Sequence, residues 1–144
     1  MTLVAALTAL QATAGAVSGI RVAPVYAPDD LSIFPAAIAY PETGNLNTET
    51  SGAYIGLHTL VLEIHEKRGL LRSTLEAVIP LGEDVYEALL TDPTIDGSVD
   101  TITEEGISYE FGPMQYGGDP LKNIKPVDTL GWRFRIPVKL KWTD

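Results

Sequence analysis

The chain is short, acidic and free of cysteine: its 144 residues suffice for one domain with a buried core, and 45% hydrophobic with 20% charged residues is typical of globular proteins. The absence of cysteine excludes disulfides, zinc-thiolate sites and thiol nucleophiles, and it is consistent with folding in a reducing cytoplasm. A formal net charge of −9 disfavours nucleic-acid binding, which requires Lys and Arg to neutralise phosphates, although an acidic channel would let DNA slide without sticking.

The first predicted element is a helix that begins after Thr2, a residue suited to cap a helix N-terminus, and ends near Gly19. Its apolar residues recur at steps of three and four and form one stripe: Leu3, Leu7, Leu10, Ala14 and Val17. The opposite face is uncharged, which predicts that it too is covered, by the same chain or by a neighbour. Because no Lys or Arg precedes the apolar run and polar residues interrupt it, we expect a helix of the mature protein rather than a signal peptide or a membrane span.

Residues 20–34 contain Pro24 and Pro28 and are predicted to form an extended connector. A short apolar strand, PAAIAY, is predicted to start at Pro35. Residues 41–53, PETGNLNTETSGA, are polar and show no apolar period, which predicts a long loop. Loops of this length are uncommon unless they are functional or mobile.

Tyr54–Lys67 is predicted to be a long central strand, because apolar residues occupy both of its alternating faces. His58 and His65 are seven residues apart and point to opposite faces, so they cannot share a metal ion. His65 shares a face with Glu63, and two interpretations follow: a weak two-ligand metal site, or a strand end that runs out into solvent. The sequence favours the solvated end, because polar residues cluster there.

Leu70–Leu90 is predicted to be helical, with a kink or a division into two short helices at Pro80 and Gly82. The segment that follows, 92–100, partly matches a calcium-binding loop. Thr94 and the residue at the twelfth position depart from the ligands of such a loop, so we prefer a helix-to-strand turn in which Gly97 adopts an unusual backbone conformation.

Three further strands are predicted. Ser98–Ile102 and Ile107–Tyr116 are expected to be joined by a hairpin turn at Glu104-Glu105-Gly106. Trp132–Trp142 alternates strictly between apolar and basic residues, which predicts one buried and one polar face. Pro137 cannot donate a ladder hydrogen bond, so we expect an edge position or a bulge for this strand.

The basic side chains of this last strand form a stripe of four: Arg133, Arg135, Lys139 and Lys141. The stripe is either a contact face for an acidic surface of a neighbouring subunit or the solvated face of an edge strand, where Lys discourages aggregation. The sequence leaves both open and slightly favours the solvated face.

The sequence contains no recognisable catalytic constellation, no metal site and no phosphate-binding glycine loop, so we predict no catalytic residue and no cofactor. Such a chain is more often a binding or structural module than an enzyme. A small enzyme or ligand-binding domain is the alternative of another class. Its pocket would use the loops at 112–119, with Tyr109, Tyr116 and Asp119 as lining residues.

Several stretches together resemble the tail terminator (tail completion) proteins of long-tailed phages, the group that includes the lambda minor tail protein U. An N-terminal helix is followed by IRVAPVYAPDDLSIFPAAIAYPETG and by a long strand that ends in HEKRG. A helix ending in LLTDPTIDGSVDTI comes next, and a strand WRFRIPVKLKW closes the chain. Relatives often carry a leucine-glycine-glycine-threonine-valine run near residue 97, from which this chain departs at Asp96 and Ser98. The resemblance covers almost the whole of 1–144.

The resemblance implies a single α+β domain with a mixed, mostly antiparallel β-sheet, against which an N-terminal helix and a central helical segment pack. It implies a non-enzymatic homohexameric ring that caps the tail tube, ends tube polymerisation and meets the head-side connector, while DNA passes through without sequence-specific binding. The expected location is the head-proximal end of the virion tail, after assembly in the host cytoplasm, without a membrane. A head-tail connector (stopper or joining) protein is the alternative.

The predicted partner-interface residues are those of the polar loop and the basic stripe: Glu42, Thr43, Asn45, Asn47, Glu49, Arg133, Arg135, Lys139 and Lys141. We expect the loop at 42–53 to become ordered on assembly.

Overall fold

Antiparallel strands with two helices on one face form the structure, a computed structural model that describes residues 2–28, 31–48 and 54–142. The elements in chain order are α1 (Leu3–Gly15), β1 (Ala36–Thr48), β2 (Tyr54–Lys67), α2 (Leu71–Thr91), β3 (Thr101–Ile102), β4 (Ser108–Tyr116) and β5 (Val127–Trp142). β1 pairs with β2 and β2 with β5, while β3 and β4 both pair with the other side of β5. The predicted α+β class is confirmed.

The helices form a layer over three of the strands. α1 packs over β1 and β2, and α2 packs over β2 and β5. The main core lies between this layer and the sheet, and its fully buried side chains include Leu10, Val85 and Phe134. The predicted stripe is confirmed, because Leu10 and Ala14 are buried and the other members pack against the core, but α1 ends at Gly15 rather than near Gly19, so Val17 lies beyond the helix. Neither helix in the described ranges is long and apolar enough to cross a membrane.

α2 is one helix, so the predicted division into two short helices at Pro80 and Gly82 is wrong, while the alternative of a kink stays a prediction. Pro80 lies on the exposed side, where water can reach the carbonyl that lacks its N–H partner. Gly82 is buried against the indole of Trp132, and a Cβ at Gly82 would lie 2.0 Å from the Cε2 atom of that ring. The indole Nε1 also donates a hydrogen bond of 2.9 Å to the carbonyl of Val78. The glycine therefore lets an aromatic ring reach the helix backbone, and the helix continues through it.

β5 is a central strand, so the predicted edge position is wrong. The carbonyl of Pro137 accepts a 2.8 Å hydrogen bond from the amide of Thr103, at the point where β3 ends. In an antiparallel strand the nitrogen and the carbonyl of one residue face the same neighbouring strand. The nitrogen of Pro137 therefore faces the break between β3 and β4, where no ladder hydrogen bond is required.

The turn at 104–106 does not form the predicted hairpin, because β3 and β4 pair with β5 rather than with each other. Ile102 lies opposite Val138, and Ser108 lies opposite Arg135, so residues 103–107 loop out of the ladder. The amide of Gly106 closes this turn on the carbonyl of Thr103 at 3.0 Å. Sequence periodicity identifies strands but does not select their partners, which explains the error.

β1 extends well beyond the predicted short strand, and the predicted loop is wrong for residues 41–48, which pair with β2 as far as Thr48 opposite Tyr54. Residues 49–53 lie outside the described ranges. A bulge between Pro41 and Thr43 leaves Glu42 without a partner in the ladder and breaks the alternation. Residues 41–44 are exposed on an edge strand and need no apolar pattern, which is why the sequence resembles a loop. The expectation that residues 42–53 become ordered on assembly stays a prediction.

The second face of the sheet is partly covered by the extended connector over residues 20–28 and 31–35. Leu31 is buried in a small apolar cluster with Ala36 and Ile38 of β1. The hydroxyl of Tyr116 donates a hydrogen bond to the carbonyl of Pro28, which ties the connector to the end of β4. This cover places one end of β2 in the protein interior.

Candidate functional site

The end of β2 carries a buried polar cluster centred on Glu63, which is only 7% exposed. Its carboxylate accepts hydrogen bonds from Tyr40 Oη at 2.7 Å, Arg133 Nε at 2.7 Å and His65 Nε2 at 2.9 Å. The preferred interpretation of this segment as a solvated strand end is therefore wrong. β5 continues alongside β2 to the pair of Lys67 with Thr129, so the polar residues of β2 do not run out of the sheet.

His65 is fully buried between two polar partners, Glu63 and Thr129. An ionised carboxylate can only accept, so the proton lies on Nε2. The Nδ1 atom lies within hydrogen-bond distance, 2.7 Å, of the hydroxyl oxygen of Thr129. Both ring nitrogens are thus used within the fold. Within the described ranges, no three His, Cys, Asp or Glu side chains are grouped so that they could hold a metal ion.

Burial and hydrogen bonds together set the protonation states of Glu63 and Tyr40. Burial raises the pKa of Glu63, but hydrogen bonds from His65, Tyr40 and Arg133 outweigh it and lower the pKa to about 2. Burial and the hydrogen bond to Glu63 raise the pKa of Tyr40 to about 12. At neutral pH the carboxylate is therefore ionised and the phenol is protonated. The cluster links β1, β2 and β5 and is suited to holding strands together rather than to exchanging protons.

The cluster continues outwards through the arginines of the predicted basic stripe. Arg135 Nη1 lies 2.8 Å from Glu110, and Arg135 Nε lies 3.3 Å from both carboxylate oxygens of Glu42. Arg133 bonds to Glu63 and lies 3.8 Å from Glu110. Three carboxylates of the same chain thus compensate two cations of the stripe. β5 is central, so the stripe is not the face of an edge strand.

The structure brings together only part of the predicted interface set. Glu42, Arg133 and Arg135 lie on one sheet face, and Lys139 belongs to the same face of β5. Their role in a partner interface stays a prediction. Thr43 is exposed beside the bulge of β1. Asn45 and Asn47 lie in β1 and Lys141 in β5, but their side chains are outside the described part, as is the whole of Glu49.

The segment after α2 is the predicted helix-to-strand turn, which is confirmed. Ile95, Asp96 and Gly97 have φ angles of 47°, 55° and 72°. One carboxylate oxygen of Asp92 accepts hydrogen bonds from the hydroxyl and amide of Thr94, and the other accepts from the amide of Asp96 at 2.7 Å. The bonds from Thr94 and Asp96 hold the pKa of Asp92 below its usual range. The carboxylate is therefore engaged in closing the turn.

A groove opens between α2 and β4, and no pattern in the sequence predicts it. This aromatic groove has a volume of about 380 Å³ and is lined mainly by Gly82, Tyr86, Ile107, Tyr109, Trp132 and Phe134. Trp132 stacks on Phe134 with ring centres 5.4 Å apart and lies 5.0 Å from the ring of Tyr109. Tyr109 is 63% exposed. The lining residues belong to α2, β5 and the β4 region, so their convergence depends on the fold.

The predicted ligand pocket is wrong as a single site. Tyr109 lines the aromatic groove, whereas Asp119 lines a separate shallow recess around 117–126. Tyr116 is engaged with Pro28 and contacts His65 edge-on, with ring centres 5.5 Å apart. The three residues therefore face three different surroundings.

The side of α1 that faces away from the core, here called the α1 outer face, is formed by Val4, Ala5, Thr8 and Ala12. These residues are exposed, so the described part of the same chain does not cover them. This contradicts the expectation that the chain itself covers this face, whereas cover by a neighbouring subunit stays a prediction. The hydroxyl of Thr8 donates a 2.8 Å hydrogen bond to the carbonyl of Val4, which leaves its methyl group to face outwards. α1 contains no charged residue.

The aromatic groove and the α1 outer face lie at opposite edges of the sheet, because α1 packs over β1 and the groove adjoins β4. The two surfaces differ in shape, and both are largely uncharged. Comparison with family models and with curated proteins finds no match for this chain.

Proposed function

We propose that this chain is a structural virion protein that forms a closed ring on a phage tail tube, ends tube polymerisation and joins the tail to the head-side connector. The resemblance of the sequence to tail terminator proteins motivates the proposal. The antiparallel α+β fold is consistent with it. The role requires neither a catalytic group nor a cofactor, and a surface with a formal net charge of −9 would let DNA pass without binding it.

The observation that carries the proposal is the pair of unlike, largely uncharged surfaces at opposite edges of the sheet. A subunit that binds its neighbour through two different surfaces makes head-to-tail contacts. Such contacts produce a ring when their rotation closes and a filament when it does not. A terminator needs the ring, because a closed ring leaves no free subunit surface around its circumference.

The mass of the protein in solution tests the proposal, measured at several concentrations with and without purified tail tubes. We expect hexamers in solution, or hexamers that appear only on tube ends, and tubes that stop growing once capped. A monomer that never joins tubes but binds an isolated connector ring would replace the proposal with the head-tail connector alternative. A monomer that binds neither would overturn both.

A further inference from the structure

We propose that the α1 outer face of one copy docks into the aromatic groove of the next copy. This inference rests on the ring proposed above and assigns its subunit contact. The first reason is the incomplete helix layer. α1 and α2 cover β1, β2 and β5, whereas neither helix packs extensively over β4. The groove is the gap that this leaves beside α2, and a helix from outside would continue the layer.

The second reason is the chemistry of the α1 outer face. Val4 is 53% exposed, and Ala5 and Ala12 present only methyl groups. The hydroxyl of Thr8 is bonded to the backbone of its own helix, so its methyl group adds to the same surface. A narrow helix face of small apolar groups can approach an aromatic groove closely, and burying it does not desolvate a charge.

The third reason is charge. Copies of a chain with a formal net charge of −9 repel one another at neutral pH. Glu83 lies at the rim of the aromatic groove and is exposed, so an acidic partner surface would be repelled there. α1 carries no charge at all and can approach this rim. Because the two surfaces lie at opposite edges, each copy can use both at once, as a ring requires.

A pair of matched variants tests the contact. Ala5→Glu places a carboxylate on the α1 outer face, three residues after the cap Thr2, where Glu completes a capping box and favours folding of the helix. Ala77→Glu makes the same change at an exposed position of α2 away from the groove. We expect Ala5→Glu to raise the concentration for half-assembly by about tenfold or more, since docking would remove the new carboxylate from water. Ala77→Glu should assemble like the parent protein. Assembly of Ala5→Glu at the parent concentration, with unchanged melting temperature, would overturn the inference and leave the ring intact.

Cysteine cross-linking provides the second test, which is clean because the chain has no cysteine of its own. Two single variants, Thr8→Cys and Glu83→Cys, are mixed and treated with a short bismaleimide. We expect a cross-linked pair from this mixture and none when Leu121→Cys, which is 97% exposed elsewhere, replaces Glu83→Cys. A cross-link without binding to tubes would support the contact and count against the terminator role. Rings on tubes without the cross-link would overturn the contact and preserve that role.

Discussion

Replacing Glu63 by Gln should remove most of the stabilisation provided by the buried polar cluster. The substitution keeps the shape of the side chain but removes its charge, and it places an amide NH₂ among three donors. Tyr40, His65 and Arg133 all direct hydrogen bonds at the present carboxylate. At least one of these donors would then lose its acceptor inside the protein, which is costly when the donor is buried.

The magnitude follows from the pKa of Glu63, which falls from an ordinary 4.5 to about 2 in the folded protein. Each tenfold change in proton affinity corresponds to ~1.4 kcal/mol, so the ionised carboxylate contributes ~3 kcal/mol at neutral pH. The pKa of Glu63 is lower in the folded protein than in the unfolded chain. The stabilisation by the ionised carboxylate is therefore complete above about pH 4.5. It is lost as the pH falls towards about 2.

Urea unfolding measured between pH 7 and pH 2 checks this reasoning. Between pH 7 and pH 2 the free energy of unfolding of the parent protein should fall by ~3 kcal/mol more than that of Glu63→Gln. The two free energies should converge near pH 2. Glu110→Gln is the matched control: its side chain is 63% exposed, so its pairs with arginine should be worth less than ~1 kcal/mol. Parallel pH profiles for the parent protein and Glu63→Gln would refute the assignment of the low pKa to this cluster.

Two further substitutions test other contacts of the fold. Gly82→Ala should displace the indole of Trp132 and break its hydrogen bond to Val78, lowering the free energy of unfolding by ~2 kcal/mol or more and shifting the tryptophan emission; an unchanged spectrum and stability would contradict the close packing. Tyr116→Phe should release the carbonyl of Pro28 and speed amide hydrogen exchange in the connector, with little change in global stability; equal exchange rates would show that this bond does not hold the connector.

The elements with strong local patterns could be predicted from the sequence. The alternation in Trp132–Trp142 identified a strand with one buried face, and the stripe in residues 3–17 identified α1. Errors arose where the pattern depends on the position of a strand in the sheet. Residues 41–48 resemble a loop because 41–44 are exposed on an edge strand, which needs no apolar period. Pro137 suggested an edge because the break between β3 and β4 is set by pairing with β5, which the local sequence does not encode.

The polar cluster and the groove were missed for a related reason. Glu63 and His65 look like a solvated strand end until the connector and Tyr116 are placed over the sheet, and both come from distant parts of the chain. The groove needs Tyr86 and Tyr109 to meet, and helical or strand periodicity cannot place them together. The uncharged face of α1 is one of three sequence signals for an assembly surface, beside the polar loop and the basic stripe, and its role in assembly stays a prediction.

The position of β5 also governs when the sheet can form during synthesis. β5 is the last strand in chain order, yet β2 pairs with one of its sides while β3 and β4 pair with the other. Until residues 127–142 have left the ribosome, β4 lacks its partner strand and the aromatic rings beside it have no indole to stack on. Pairings this distant in sequence form slowly and expose apolar surface meanwhile. We therefore expect a nascent chain of this protein to bind chaperones until β5 is complete.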